Sequence, residues 1–388
     1  MGAIEMEINR HVLWIWAKEI LHFNNKKLLK LLEDCGSIEE LYTCEDFEPF
    51  SYLSETEKKS LLRKDLRNAW EIYGDCEMNQ IGILTLDDDH YPAMLREISN
   101  PPSPLFFKGH LLTCLNKPLL TVVGTRKFNG YSEEKTKEIV TALCLCGMSI
   151  VCGIAGGIDT FACESAIQTD SGPIVVLPFG ILSTKGASTK RFPDILKYGA
   201  LVSETFPRNS SHRYAYHERN RILSGLSHGT FVPQAPQRSG ALITANYAYE
   251  QNRDIFALMA NASELTEGSN KLIKDGCYPV TDYLDILSVY LPRFGDRLKE
   301  YLCPPEKVFS LQDELTEDKL QAYRRKHSKS LSENERKVFE LITTEESSSD
   351  DIIESAGLPV QEVLQILTTL EFRGLAVSCP GNKFKVIL

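Results

Sequence analysis

The chain has 388 residues, 43% of them hydrophobic, and a formal net charge of −10. Such a length predicts one to three domains with ample core, and the acidic balance excludes a surface coated in basic charge. No run approaches the ~18 apolar residues of a membrane span, and acidic residues precede the first apolar stretch in MGAIEMEINRHVLW, which is not the pattern of a secretory signal.

Residues 1–80 read as a helical module of the SAM or helix-hairpin-helix kind. Leu21, Leu28, Leu29, Leu31 and Leu32 make a helical stripe, Ser37 is placed to cap the next helix, and 53–73 reads as another. Turns at Cys35-Gly36 and Ser51 separate them; such modules sometimes touch DNA, and a packing or dimer role is an equal expectation.

From residue 118 to 290 the pattern changes. The apolar runs LLTVV, MSIVCG, GPIVVLPF, ALVSE, GTFVPQA and DIFALMA alternate with helical patterns at 132–147, 159–169, 191–198, 216–226, 241–251 and 269–276. Near-continuous apolar runs mean strands buried on both faces, and the alternation means βαβ units around a parallel sheet. Ligands of such sheets bind at the carboxyl ends of the strands. The domain is set at 81–300.

Residues 301–330 are polar, without a sustained apolar stripe, and read as a linker. The segment 331–388 predicts a helix over 331–344, a second capped by Ser349, and a third over 358–372. A hairpin follows, LAVSC–PGNK–FKVIL, turning at Pro380-Gly381-Asn382. Three helices and a hairpin suggest a winged helix. Its third helix has two glutamates and no Lys or Arg before Arg373, which favours a protein-contact or packing role over reading of the major groove.

The eleven cysteines form no frame. Cys144 and Cys146 make a C-x-C without the second pair or His cluster a zinc site needs, so buried free thiols in a reducing cytoplasm are expected.

Three turns fall where strands should end: Gly124-Thr125-Arg126, the stretch from Gly153 through Gly156 and Gly157 to Asp159 and Thr160, and the stretch from Arg238, Ser239 and Gly240 to Thr244. Each offers small residues, hydroxyls and backbone N–H groups beside a helix start, a combination that cradles phosphate. Tight packing is the rival reading of any single glycine turn. Arg126 offers a planar fork for an oxyanion, or else clamps its own loop. Neither G-x-G-x-x-G nor a G-K-[ST] P-loop is present, so no nucleotide cofactor is expected. SSHRYAYHERNR (210–221) interleaves cations with aromatics, the composition of a single-strand binding groove; alternatively Arg219 and Arg221 form internal ion pairs.

These segments resemble the DNA-processing protein A family (DprA, also called Smf) over nearly the whole chain. HYPAMLREISNPPSPLFFKG, VVGTR, CGIAGGIDTFACESA, ERNRILSGLS, RSGALITANYAYEQNRDIFAL and GSNKLIKDGC follow one another in the family's order. The resemblance implies an α/β fold: an extended Rossmann-like domain with a mostly parallel sheet, flanked by the N-terminal helical module and a C-terminal winged-helix-like module. It implies a cytoplasmic homodimer, not an enzyme and not bound to membrane. Its function would be to protect incoming single-stranded DNA during uptake and to load the recombinase RecA. The DNA-binding set it implies is Gly124, Thr125, Arg126, Gly153, Gly157, Asp159, Arg213, Tyr216, Asn220, Arg221, Ser239, Gly240, Thr244, Asn270 and Lys271.

Departures from the family pattern are Gly156 for a basic residue, Cys163 for a histidine and Gln234 for an acid; 181–190 lacks the usual Tyr-Pro-x-x-Asn. Arg213, Lys185 or Lys190 could replace the missing cation. The main alternative is a Rossmann-like enzyme that hydrolyses nucleotide 5′-monophosphates, but the P-G-G-x-G-T-x-x-E motif of that group is missing: RSGALITA has no acid at the matching place, and Glu250 lies on the following helix.

Overall fold

The apolar runs become short strands, four or five residues each and buried between helices. A computed structural model describes residues 9–298 and 320–386, apart from 23, 184–186, 213, 322, 326, 329, 330, 345 and 380. The chain divides into two compact units, Met1–Cys303 and Pro304–Leu388.

The first unit is built on a nine-stranded sheet. In chain order its strands are β1 (Gly82–Leu84), β2 (Leu105–Gly109), β3 (Leu119–Val122), β4 (Ser149–Cys152), β5 (Ile174–Leu177), β6 (Ala200–Ser203), β7 (Gly229–Val232), β8 (Asp254–Leu258) and β9 (Tyr278–Val280). Their spatial order is β1-β2-β6-β5-β4-β3-β7-β8-β9. From β6 to β9 all pairings are parallel, with Leu120 opposite Ile150 on one side of β3 and Thr121 opposite Thr230 on the other. The pairs β1–β2 and β2–β6 are antiparallel. The chain therefore builds outward from β3 to β6, then returns to lay β7 on the opposite side of β3.

The helices Gly130–Leu145 and Ile158–Gln168 pack on each other, as do Ala215–Leu226 and Gly240–Glu250. Right-handed crossovers put the two pairs on opposite faces of the sheet. Leu120, Val122, Ile150, Val151 and Val175 lose all contact with solvent as a result.

Ahead of the sheet come the helices Arg10–Ile20, Asn25–Cys35, Ile38–Thr43, Glu55–Arg63 and Arg67–Met78. Ser37 caps the third as expected, its hydroxyl accepting the Glu40 N–H at 3.1 Å. The single helix expected over 53–73 is two. Lys64 adopts a left-handed conformation (φ 49°), and Asp65 accepts the Arg67 N–H, starting a new helix in a new direction.

In the second unit the helices are Glu333–Leu341, Ser349–Ala356 and Val360–Phe372. The strands β10 (Ser347–Ser348), β11 (Val377–Cys379) and β12 (Lys383–Lys385) form a small antiparallel sheet in the order β10-β12-β11. Val338, Phe339, Val363, Leu367 and Leu370 make its core. The cap of the second helix is Ser348, one residue earlier than expected. The segment read as linker also reaches into this unit: Leu320 is buried in its core, Tyr323 packs against it, and Arg324 donates to the carbonyls of Glu340 and Ile342.

The ten described cysteines are free thiols, and among the described residues no helix is long and apolar enough to cross a membrane.

Candidate nucleic-acid interface

Because the chain leaves β3 in one direction and resumes at β7 in the other, a crevice opens at the carboxyl ends of these two strands, the switch point where open α/β sheets hold ligands. The loops after β3 and β7 are laced together there. The Val123 N–H donates to the Phe231 carbonyl at 3.1 Å and the Thr125 N–H to the Gln234 carbonyl at 2.9 Å. Gln234 also accepts the Asn129 N–H through its side chain, at 3.2 Å. The loop after β4 closes on the same turn: the Ile158 N–H donates to the Thr125 carbonyl at 3.3 Å. Gly157 has φ 63°, and a Cβ there would lie 2.4 Å from that carbonyl oxygen, so only glycine fits. Gly156 has φ 97° with open space around it; the backbone at the position of the missing cation suits glycine better than a side chain.

Most amides of the first turn already have partners. The Gly124 N–H donates to Asp159 Oδ1 at 3.2 Å, that of Thr125 to Gln234, and that of Lys127 to the Thr125 hydroxyl at 3.1 Å. Three of the backbone donors that the sequence offered at this turn are thus engaged within the fold. What faces outward is the Arg126 side chain, exposed and without a hydrogen bond or ion pair among the described residues. Arg126 does not clamp its own loop.

Beneath the turn, Gly153 leaves room for Asp159 and Arg219, both 5% exposed. Arg219 donates to the Val176 carbonyl and, at 3.3 Å, to Asn220 Oδ1; Asn220 in turn donates to the Gly240 carbonyl at 3.4 Å. This chain joins β5 to the helices Ala215–Leu226 and Gly240–Glu250. Burial pushes the Asp159 carboxyl up to about 6, against the pull of Arg219, the Gly124 N–H and Arg126. Asp159, expected as a DNA contact, instead organises the turn.

The third loop supplies a helix start. Ser239 caps Gly240–Glu250, its hydroxyl accepting the Ala241 N–H at 3.3 Å, and Gly240 is exposed. Thr244 is buried one turn on, its hydroxyl without a partner among the described residues.

Together these loops line a cleft of about 370 Å³ that holds Gly124, Thr125, Arg126, Asp159, Tyr216, Asn220, Ser239, Gly240 and Thr244 from the expected set. Tyr216 is 41% exposed at its edge. A second cleft of about 640 Å³ shares His217, Arg238, Ser239 and Gly240 with the first and extends to Lys271. Arg126, Lys127, Arg238 and Lys271 are all exposed and make no ion pair among the described residues.

Other expected residues lie elsewhere. Arg221 turns inward and pairs with Glu204, and Asn270 donates to the Ala260 carbonyl at 3.2 Å. Gly153 packs beneath the turn and Gly157 against it. Lys190 does not line either cleft, while Arg213 and Lys185 fall outside the described residues. Sequence reasoning left Lys127 and Arg238 out of the set. Each stands beside a glycine-hydroxyl turn, which was the available signal.

The fold and the cleft define a Rossmann-type α/β protein, extended by an extra parallel strand and an antiparallel edge, with a winged-helix unit in the same chain. The chain belongs to the DNA recombination-mediator protein A family, whose model matches residues 82–291; the DprA winged helix domain matches 324–382. It is thereby one of the proteins of DNA recombination and processing. It is 33% identical to Protein Smf of Escherichia coli over 77% of this chain and 76% of that one, and 28% identical to Protein Smf of Synechocystis over 84% and 86%. The X-ray structure of DNA processing protein A from Streptococcus pneumoniae superposes with a TM-score of 0.61 at 28% identity, covering 71% of this chain and 97% of that one. The solved structure of DNA processing protein A from Helicobacter pylori, 24% identical, has the same fold, with a TM-score of 0.50, covering 55% of this chain and 96% of that one.

Proposed function

We propose that the protein binds single-stranded DNA along the two joined clefts, without catalysis. The observation that carries this reading is the set of exposed cations Arg126, Lys127, Arg238 and Lys271, without ion pairs among the described residues, ranged along clefts that meet at a helix N-terminus, with Tyr216 exposed beside them. Cations track a phosphate backbone, and an exposed ring stacks bases that a duplex keeps paired. The overall charge of −10 does not oppose this, because the cations are gathered in one place. The Helicobacter pylori relative is described as a single-stranded DNA binder, which agrees with the proposal. The carboxylate lining the first cleft, Asp159, is buried and held by Gly124, which supports binding rather than nucleotide hydrolysis.

Protection of incoming strands, delivery to the recombinase RecA, a homodimeric state and a cytoplasmic location are proposed on family membership. Fluorescence anisotropy with an oligothymidine and a hairpin of equal length tests the binding reading. Preference for the oligothymidine is expected; equal affinity for the hairpin stem counts against it.

A further inference from the structure

The helix Ala215–Leu226 brings Tyr216 and Asn220 to the cleft. Arg221, next along it, is 6% exposed, and its Nη2 lies 2.8 Å from each carboxylate oxygen of Glu204, just past the end of β6. The N-terminal helices meet Glu204 as well. Lys18 of Arg10–Ile20 places Nζ 3.3 Å from Glu204 Oε1, from Asn25 Oδ1 and from the Ser103 carbonyl, with its side chain wholly buried. Asn25 of Asn25–Cys35 donates to the same carboxylate oxygen. The Arg221 carbonyl accepts from Gln251 Nε2 at 3.0 Å, just past the helix Gly240–Glu250 that opens at the cleft.

Burial alone would raise the Glu204 carboxyl; Lys18 and Arg221 outweigh it and hold the group down at about 2. Lys18 itself is lowered by burial against the pull of Glu204. The carboxylate is largely but not wholly buried, and without Lys18 its remaining partners are Asn25 and Arg221, so the side chain is tied less firmly to the helix Arg10–Ile20. Arg221 is the member with most to move, because the helix beneath the cleft carries it.

We propose that the N-terminal helices set the position of the cleft-lining helix Ala215–Leu226 through the buried contacts of Lys18 and Arg221 with Glu204. The functional consequence rests on the reading of the cleft as a single-strand site. Lys18 is then a positioning residue: it touches no DNA, yet the affinity of the cleft depends on it. Glu204 is the joint that both sides share.

The test uses the full chain with the variants Lys18→Met and Lys18→Met/Glu204→Gln. Oligothymidine affinity is read by anisotropy and amide protection over residues 215–222 by hydrogen exchange. Lys18→Met is expected to bind several-fold more weakly and to exchange faster over that segment, while β3 and β4 keep their protection. Glu204→Gln in the same chain cuts the same joint and is expected to add little to either loss, whereas two independent effects would add. A Lys18→Met protein that melts earlier but keeps parental affinity and parental exchange over 215–222 overturns the proposal. If Lys18→Met does not fold, Glu204→Gln alone takes its place, with the same expected losses and the same overturning result. If even the parent ignores oligothymidine, the DNA reading has failed, and the exchange measurement still decides the coupling.

Discussion

Asp159 and Arg219 converge over Gly153. A Cβ on that glycine would lie 2.5 Å from Asp159 Oδ2 and 2.8 Å from both terminal nitrogens of Arg219. Either neighbour can retreat only by giving up a bond, since Asp159 holds the Gly124 N–H and Arg219 holds the Val176 carbonyl. Gly153→Ala should therefore destabilise the fold by roughly 1–3 kcal/mol, as overpacking does. Urea denaturation measures it; a loss below half a kilocalorie would mean that the pair yields.

Asp159 also gives stability a pH signature. Its folded pKa, about 6, lies above the ordinary 3.8, so between those values the folded chain holds more protons than the unfolded one. Stability from this group falls as pH rises through that window, by on the order of 3 kcal/mol. Asp159→Asn should flatten that part of the profile. Glu204 acts in the opposite sense: its contribution is complete above the ordinary 4.5 and is lost as pH falls towards 2. Denaturation midpoints across pH for the parent, Asp159→Asn and Glu204→Gln separate the two.

Tyr216 is expected to act by stacking. Tyr216→Ala should weaken oligothymidine binding by about 1–3 kcal/mol while leaving the salt dependence nearly unchanged, and Tyr216→Phe should bind like the parent. Anisotropy at several salt concentrations measures both. An alanine variant with parental affinity would show that no base stacks there.

Single-strand binding should survive loss of the second unit. Its third helix, Val360–Phe372, carries no Lys or Arg and exposes Val360, Leu364 and Phe372, the last at 95%. The cut belongs at Pro304, because Leu320 and Tyr323 belong to that unit's core. A folded 1–303 chain that loses most of its affinity would contradict this.

The parallel strands β3 to β8 were legible because burial leaves near-continuous apolar runs. The remaining strands were not. β1 and β9 are three residues long, β9 contains Pro279 and exposes two of its three residues, and β2 follows a proline-rich stretch that reads as loop. The helix Arg10–Ile20 lies within the segment read as helical, but its buried face was not legible. Val12 to Lys18 are all buried, so no apolar stripe marks a face. In the site, the three glycine turns announced themselves by composition and by position after strands. The direction of each arginine did not. Arg126, Arg219 and Arg221 look alike in sequence, and the difference between solvent, a buried carbonyl and a buried carboxylate depends on neighbours from β5 and β6. The same limit hid the amide partners of the first turn, which come from Asp159 and Gln234, distant in the chain.

The central claim is that phosphate of a single strand is held at the switch point by Arg126. Anisotropy titrations of the parent and Arg126→Ala with oligothymidine, mixed-sequence single strands and a hairpin, at several salt concentrations, test it most directly. The account predicts that the parent prefers single strands, that Arg126→Ala weakens every single-stranded sequence about equally, and that its log–log salt slope is smaller by roughly 0.7, the value for one lost phosphate contact. An Arg126→Ala protein that is folded by circular dichroism and binds like the parent at every salt concentration would contradict it.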